Sequence, residues 1–134
     1  MKNVIKLFAF IFLFSLCSCG GQAPRDVAEE AMSCLQKQDF RGYVDLMQTD
    51  DTKSPEEIEK NKATMANILK EKAGKSMERK GGIKDFKVVK ETVNEEKGTA
   101  SIKMEVEYND GSTDTDNCKL KKGEDGKWYV VLNY

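Results

Sequence analysis

Residues 99–122 read TASIKMEVEYNDGSTDTDNCKLKK, and this stretch decides the fold. In residues 100–108 apolar side chains alternate with polar ones, the period-two pattern of a strand with one buried and one wet face. Asn109-Asp110-Gly111 interrupts the pattern with residues typical of a turn, and residues 113–122 continue as a second strand. The stretch therefore predicts a β-hairpin.

The length of the turn fixes which side chains face each other. A two-residue loop would place Glu107 beside Asp114, two like charges in contact. A three-residue loop instead pairs Ile102 with Cys118 and gives Gly111 the left-handed position of a bulge. We predict the three-residue loop.

Two further strands flank the hairpin. Residues 84–93 are predicted to form the strand before it, and residues 128–134 the strand after it. The last segment is apolar on both faces, which predicts a central or well covered strand. Together they indicate a four-stranded antiparallel sheet.

Three helices precede the sheet. Pro24 is suited to open the first, whose apolar stripe contains Val27 and Ala31. Residues 40–47 predict a short second helix. Ser54 and Pro55 begin the third, which we expect to end at Gly81-Gly82. Its predicted core stripe consists of Ile58, Met65, Ile68, Leu69 and Met77. The fold class is α+β, with three N-terminal helices packed on one face of a curved four-stranded antiparallel sheet.

Several short motifs match a known group of proteins. They are Pro24…Val27-Ala28, Asp39-Phe40…Tyr43, Lys72-Ala73-Gly74…Gly81-Gly82-Ile83, Tyr108…Gly111-Ser112 and Asp125-Gly126-Lys127-Trp128. In this order the chain resembles small Gram-negative lipoproteins that carry a domain of unknown function. Those domains are similar in fold to nuclear transport factor 2-like and cystatin-like proteins, in which a curved sheet wraps a long helix into a cone. The resemblance implies this fold and no particular activity.

The N-terminus has the pattern of an export signal. A basic start precedes an apolar run, residues 7–16, that is shorter than the roughly 20 residues of a transmembrane helix. The sequence Leu16-Cys17-Ser18-Cys19-Gly20 resembles a lipobox with Cys19 as the lipidated residue. Cys17 fits less well, because bulky residues would occupy the small positions. We predict a signal peptide over residues 1–18, a lipidated tether over residues 19–24 and a single domain over residues 25–134.

The predicted anchor determines the expected location. Two or more acyl chains hold a protein stably on a membrane. The residues between Cys19 and the first helix reach at most about 17 Å, so the domain should lie close to the lipid surface. Gly20 is not the acidic residue that retains some lipoproteins in the inner membrane. We therefore expect a lipid-anchored protein of the cell envelope, at the periplasmic face of the outer membrane.

Charge and composition exclude some functions. The chain has 22 basic and 23 acidic residues, and loss of Lys2 and Lys6 with the signal leaves 20 against 23. This balance gives no basis for binding nucleic acid. There is no histidine, the commonest general base and metal ligand. We expect neither a metal nor a cofactor.

Two cysteines lie on the apolar faces of their predicted elements. Cys34 belongs to the first helix and Cys118 to the third strand. An exported domain could join them in a disulfide, or both could remain buried thiols that pack as small apolar side chains. Both interpretations stay open.

Several acidic and aromatic residues are candidates for a site. Asp114 and Asp116 share the core-facing parity of the third strand near the hairpin tip, so they either protrude into water or line the mouth of the cone. Some cone-shaped relatives are isomerases that use an Asp base and a Tyr donor. The nominal candidates here are Asp39, Tyr43, Asp45 and Tyr108.

The sequence therefore favours a non-catalytic binding or interaction module held at the envelope membrane. Its partner would be a small ligand or an envelope protein. The alternative is a cone-fold enzyme, isomerase- or hydrolase-like, that uses an Asp/Tyr pocket.

Overall fold

The computed structural model of the chain describes residues 22–132. The predicted signal peptide and Cys19 lie outside these residues. The helices are α1 (Pro24–Gln36), α2 (Phe40–Asp45), α3 (Pro55–Leu69) and α4 (Lys75–Arg79), and a π-helical turn, Lys70–Gly74, joins α3 to α4. The three predicted helices are thus confirmed, with the third divided by the π-helical turn. Within the described residues, no helix has the length and apolar character needed to cross a membrane.

The sheet contains four antiparallel strands. They are β1 (Ile83–Asn94), β2 (Thr99–Tyr108), β3 (Thr113–Lys122) and β4 (Trp128–Val131), and their order in space is their order in the chain. A register shift in β1 between Val88 and Lys90 adds a residue to the edge strand, and such bulges bend a sheet. The predicted α+β fold is confirmed.

The predicted hairpin has the expected register. Ile102 lies opposite Cys118, and Glu107 lies opposite Thr113 rather than beside a like charge. The Gly111 N–H donates to the carbonyl oxygen of Tyr108 at 3.0 Å. Gly111 has a φ of +88°, the left-handed conformation that the three-residue loop requires.

We expect Gly111→Ala to lower the free energy of unfolding by about 1 kcal/mol, because a side chain at positive φ strains the backbone. No atom lies within 4 Å of the position a Cβ would take, so the backbone strain acts alone. Urea unfolding measures the loss. Gly111→Asn is the matched control, because asparagine tolerates this conformation better and should lose less. Equal losses in the two variants would contradict the explanation.

The last strand is not central. β4 pairs only with β3 within the described sheet and forms one of its edges, because the strands follow a simple meander. Trp128 and Val130 are buried against the core, whereas Val131 is 40% exposed. The segment after α2 covers part of this edge, since the Val130 N–H donates to the Leu46 carbonyl at 2.9 Å. Of the two predicted arrangements, the central strand is therefore wrong, and the well covered strand is confirmed in part, at Trp128 and Val130.

The core lies between α1 and one face of the sheet. The largest fully buried side chains are Ile102, Met104, Val106 and Leu120. Helix α1 packs on all four strands and buries Val27, Ala28, Ala31 and Met32. The cluster of buried residues runs from Val27 to Val130, so the described part of the chain contains its own core.

Helix α3 departs from its predicted role. It has no buried residue: Ile58, Met65 and Leu69 are half-buried, and Ile68 is 40% exposed. The reason is that α1 already occupies the face of the sheet, so α3 packs on α2 instead. Of the predicted stripe of the third helix, Met77 in α4 is the buried member.

Candidate functional site

Two cavities lie side by side between α1 and the sheet. Their volumes are about 190 Å³ and 210 Å³. Both are lined by Met32 and Leu35 of α1 and by Asp116 of β3. The first extends to Tyr43, and the second to Tyr108. We call the two cavities together the cleft, and these five residues mark it.

Asp116 lies where the two cavities meet. It shares the core-facing side of β3 with Cys118 and Leu120, but it is exposed because it sits nearer the hairpin tip. Its carboxylate has no cation within ion-pair distance among residues 22–132. Although part of the side chain is exposed, the cleft walls shield its carboxyl group from water, which raises its pKa; the Asn117 N–H partly offsets this effect, and the charge of Asp114 adds to it. The protein therefore holds an uncompensated carboxyl group at the cleft.

This carboxyl group should make stability depend on pH. Because the folded protein raises the pKa of Asp116, its contribution to stability is complete at low pH and is lost as the pH rises through the folded pKa. We expect Asp116→Asn to raise the free energy of unfolding at pH 7 by a few tenths of a kcal/mol, a small gain because the group is partly solvated. Near pH 3 the two proteins should be equally stable.

Urea unfolding at both pH values measures this difference. Glu105→Gln, on the wet face of β2, is the matched control and should show no gain at pH 7. A gain for Asp116→Asn that is the same at pH 3 and pH 7 would contradict the mechanism.

The two tyrosines present phenol groups to the cleft. Burial raises the pKa of Tyr43 well above its usual range. Burial also raises the pKa of Tyr108, and the charges of Asp114 and Asp116 add to that effect. Both phenols therefore stay neutral near pH 7 and can donate a hydrogen bond.

Asp114 occupies a more solvated position at the same opening. Its carboxylate accepts from the Thr115 N–H at 2.8 Å, and Lys80 Nζ lies 3.8 Å away. The same Lys80 Nζ lies 4.5 Å from the centre of the Tyr108 ring, a cation–π distance. The sequence leaves two positions open for Asp114 and Asp116, protruding into water or lining the mouth of the cone. In the structure both residues line the cleft, and both side chains are also exposed to water.

Asp39 and Asp45 have no place in the cleft. Asp39 caps α2, because its Oδ1 accepts from the Gly42 N–H at 2.9 Å. Asp45 Oδ1 pairs with Arg41 Nε at 3.3 Å and with Lys62 Nζ at 3.0 Å. Both carboxylates therefore stabilise helices, the first as a cap and the second through ion pairs. The predicted pocket therefore contains other acids than expected. The two tyrosines share the cleft with Asp114 and Asp116, and Asp39 and Asp45 lie elsewhere.

The two cysteines are free thiols in the structure. Cys34 is half-buried and lies near Gly42, whereas Cys118 is buried and lines the cleft. Burial, with a smaller contribution from Asp116, raises the pKa of Cys118 to about 12, so it is a thiol at neutral pH. The disulfide stays a prediction, which labelling of both thiols in the denatured, unreduced protein would test.

The described part of the chain has no cluster of side chains suited to bind a metal ion. Between residues 22 and 132, no three His, Cys, Asp or Glu side chains are grouped so as to hold a metal ion. The polar side chains of the cleft include two phenols, two carboxyl groups and a thiol, and the cavities are also lined by Ser76, Thr115, Asn117 and Lys119.

Comparison with known proteins supports the fold and identifies a family. A crystal structure from Campylobacter jejuni, of a protein provisionally named an NTF2-like transpeptidase, is similar with a TM-score of 0.65 and 28% identity. The similarity covers 84% of this chain and 100% of that one. No curated protein matches significantly. Residues 17–131 match the family described as Domain of unknown function (DUF4878), and the chain belongs to that family.

Proposed function

We propose that this protein is a lipid-anchored component of the bacterial cell envelope whose domain binds a small ligand in the cleft without catalysing a reaction. The observation that carries the proposal is the unpaired Asp116 carboxyl group, flanked by the phenols of Tyr43 and Tyr108 where two cavities meet. Such a pairing of apolar walls with a few converging polar groups is typical of ligand sites.

The chemistry of the cleft limits the ligand. Met32 and Leu35 provide an apolar wall, and Asp116 offers an acceptor that carries an unfavourable charge. A ligand with an ammonium or another strong donor group would compensate that charge. Each cavity of about 200 Å³ is below the usual 300–1,000 Å³ of drug-sized sites, so the ligand should be small.

A second candidate function is group transfer, which the provisional name of the similar Campylobacter jejuni protein suggests. A cysteine nucleophile acts as a thiolate, whereas Cys118 has a pKa raised to about 12. The sequence also has no histidine that could take the thiol proton. These two facts favour binding over transfer chemistry.

The binding proposal can be tested on protein purified from its own envelope. Native mass spectrometry should show a small co-purifying ligand on the wild-type protein. Asp116→Asn and Tyr43→Phe should lower its occupancy, and Glu105→Gln, which changes an acid on the opposite face of the sheet, should not. A cleft that is empty in the wild type, or occupied equally in all variants, would contradict the proposal.

Catalysis has its own test. The wild-type protein and a Cys118→Ser variant should give the same absence of turnover with acyl-peptide donors and amine acceptors. Turnover that depends on Cys118, or on Asp116 with folding intact, would establish the enzyme instead.

The lipid anchor is tested by fractionation. Cys19→Ser should move the protein from the membrane to the soluble fraction and remove the lipid mass, whereas Cys17→Ser should leave the mature protein unchanged. Release by Cys17→Ser alone would place the lipid on the other cysteine. Separation of the inner from the outer membrane then tests the proposed location.

A further inference from the structure

A second apolar site lies between α2 and α3, away from the cleft. It is a groove of about 180 Å³ whose apolar walls are Val44 and Met47 on one side and Ile58 and Met65 on the other. We call it the α2–α3 groove. It shares no lining residue with the cleft. Its volume exceeds the roughly 150 Å³ of an engineered apolar cavity that binds benzene.

Helix α3 forms the outer wall of this groove, and ion pairs to α2 help to hold it there. Helix α3 has no buried residue. Both Glu59 carboxylate oxygens accept from Arg41 Nη2 at 2.5 and 2.6 Å, and Lys62 donates to Asp45 at 3.0 Å. Exposed ion pairs of this kind contribute little each. The contacts of α3 with the main core are made by Ala66 and Leu69, which lie outside the groove lining.

Hydrogen-bond donors surround the opening. Lys53, Gln48 and Asn61 line the rim, and within residues 22–132 their side chains form no hydrogen bond or ion pair. The one carboxylate on the rim, Asp50, already accepts from the Thr52 N–H at 3.0 Å and from its hydroxyl group at 2.5 Å. The groove lining thus carries two ammonium groups against one carboxylate, and the amide N–H groups beside them can donate to an anion.

We propose that the α2–α3 groove binds a single-chain anionic amphiphile of the fatty-acid class. The alkyl end lies between Met47 and Met65, and the carboxylate lies on Lys53 with the amides of Gln48 and Asn61 beside it. An apolar groove with a donor-rich rim complements both ends of such a molecule. The cleft is the opposite case, because it presents an uncompensated carboxyl group.

The test uses residues 22–134, since the described part of the chain contains its own core. Methionine methyl groups labelled with ¹³C report on each site separately by nuclear magnetic resonance. Titration with octanoate should shift the methyl signals of Met47 and Met65, while those of Met77 and Met104, in the main core, stay in place. The neutral 1-octanol, with the same alkyl chain, should bind at least about fivefold more weakly, the factor that one exposed ion pair can provide.

Two charge-reversal variants separate the head-group contact from general electrostatics. Lys53→Glu should weaken octanoate binding at least about fivefold. Lys60→Glu makes the same change of charge on α3 outside the groove lining and should change binding less than twofold. Unchanged methyl signals of Met47 and Met65, equal binding of octanol, or equal effects of the two variants would each overturn the proposal. Both variants alter exposed side chains, and thermal unfolding checks that they fold.

Discussion

Replacing Ile102 with alanine should lower the free energy of unfolding by about 3 kcal/mol, because it removes buried methylene groups and leaves a cavity that the strands cannot close. Ile102 is 0% exposed and lies in β2, a central strand of the sheet, opposite Cys118. Neighbouring strands on both sides fix the backbone, which limits relaxation. Urea unfolding at pH 7 measures the effect.

The neighbouring residue provides the control. Lys103 lies on the wet face of the same strand, and Lys103→Ala should change the free energy of unfolding by less than about 0.5 kcal/mol. Similar losses at both positions would mean that β2 is not buried on the face that the structure assigns. This would contradict the fold as well as the prediction.

Replacing Gly42 with alanine should destabilise the protein by about 2 kcal/mol, because the methyl group would collide with the helix cap and strain it. A Cβ at Gly42 would lie 2.9 Å from Asp39 Cγ and 3.1 Å from Cys34 Sγ. The Asp39 side chain would have to leave the Gly42 N–H that it caps. The measurement is again urea unfolding.

A double-mutant cycle identifies the cause. Asp39→Ala alone should cost about 1 kcal/mol, the usual loss for a missing cap. In that background Gly42→Ala should cost less than it does in the wild type, since the colliding carboxylate is gone. Strict additivity would show that the collision with Asp39 is not the reason. The cycle also tests whether Asp39 is structural, as its position outside the cleft indicates.

Short-range chemistry made the hairpin predictable. Side-chain parity, the repulsion between Glu107 and Asp114 in the rejected register and the glycine at position 111 all favour one pairing, and the structure has it. The same parity placed Asp116 on the core-facing side of β3. The sequence therefore contained the information for one wall of the cleft.

The opposite wall depended on tertiary packing. Nothing local to Tyr43 shows that its side chain lines a cavity together with Cys118 of β3. Nor does the sequence around Asp39 and Asp45 show that the first caps a helix and the second forms ion pairs. Apolar stripes likewise show which residues can be buried, but not which surface is still free to bury them. Helix α1 covers the face of the sheet on which α3 was also expected to pack. The strands follow their order in the chain, so β4 lies at an edge despite its apolar sequence.

The loose attachment of α3 has a consequence for the order in which the molecule opens. Amide protons exchange through local openings, which are easiest where few apolar contacts must be broken. Helix α3, with no buried residue and with ion pairs that salt screens, should lose its protection well before β2 and β3. We therefore expect the sheet to stay closed while this helix opens, and hydrogen exchange measures that order.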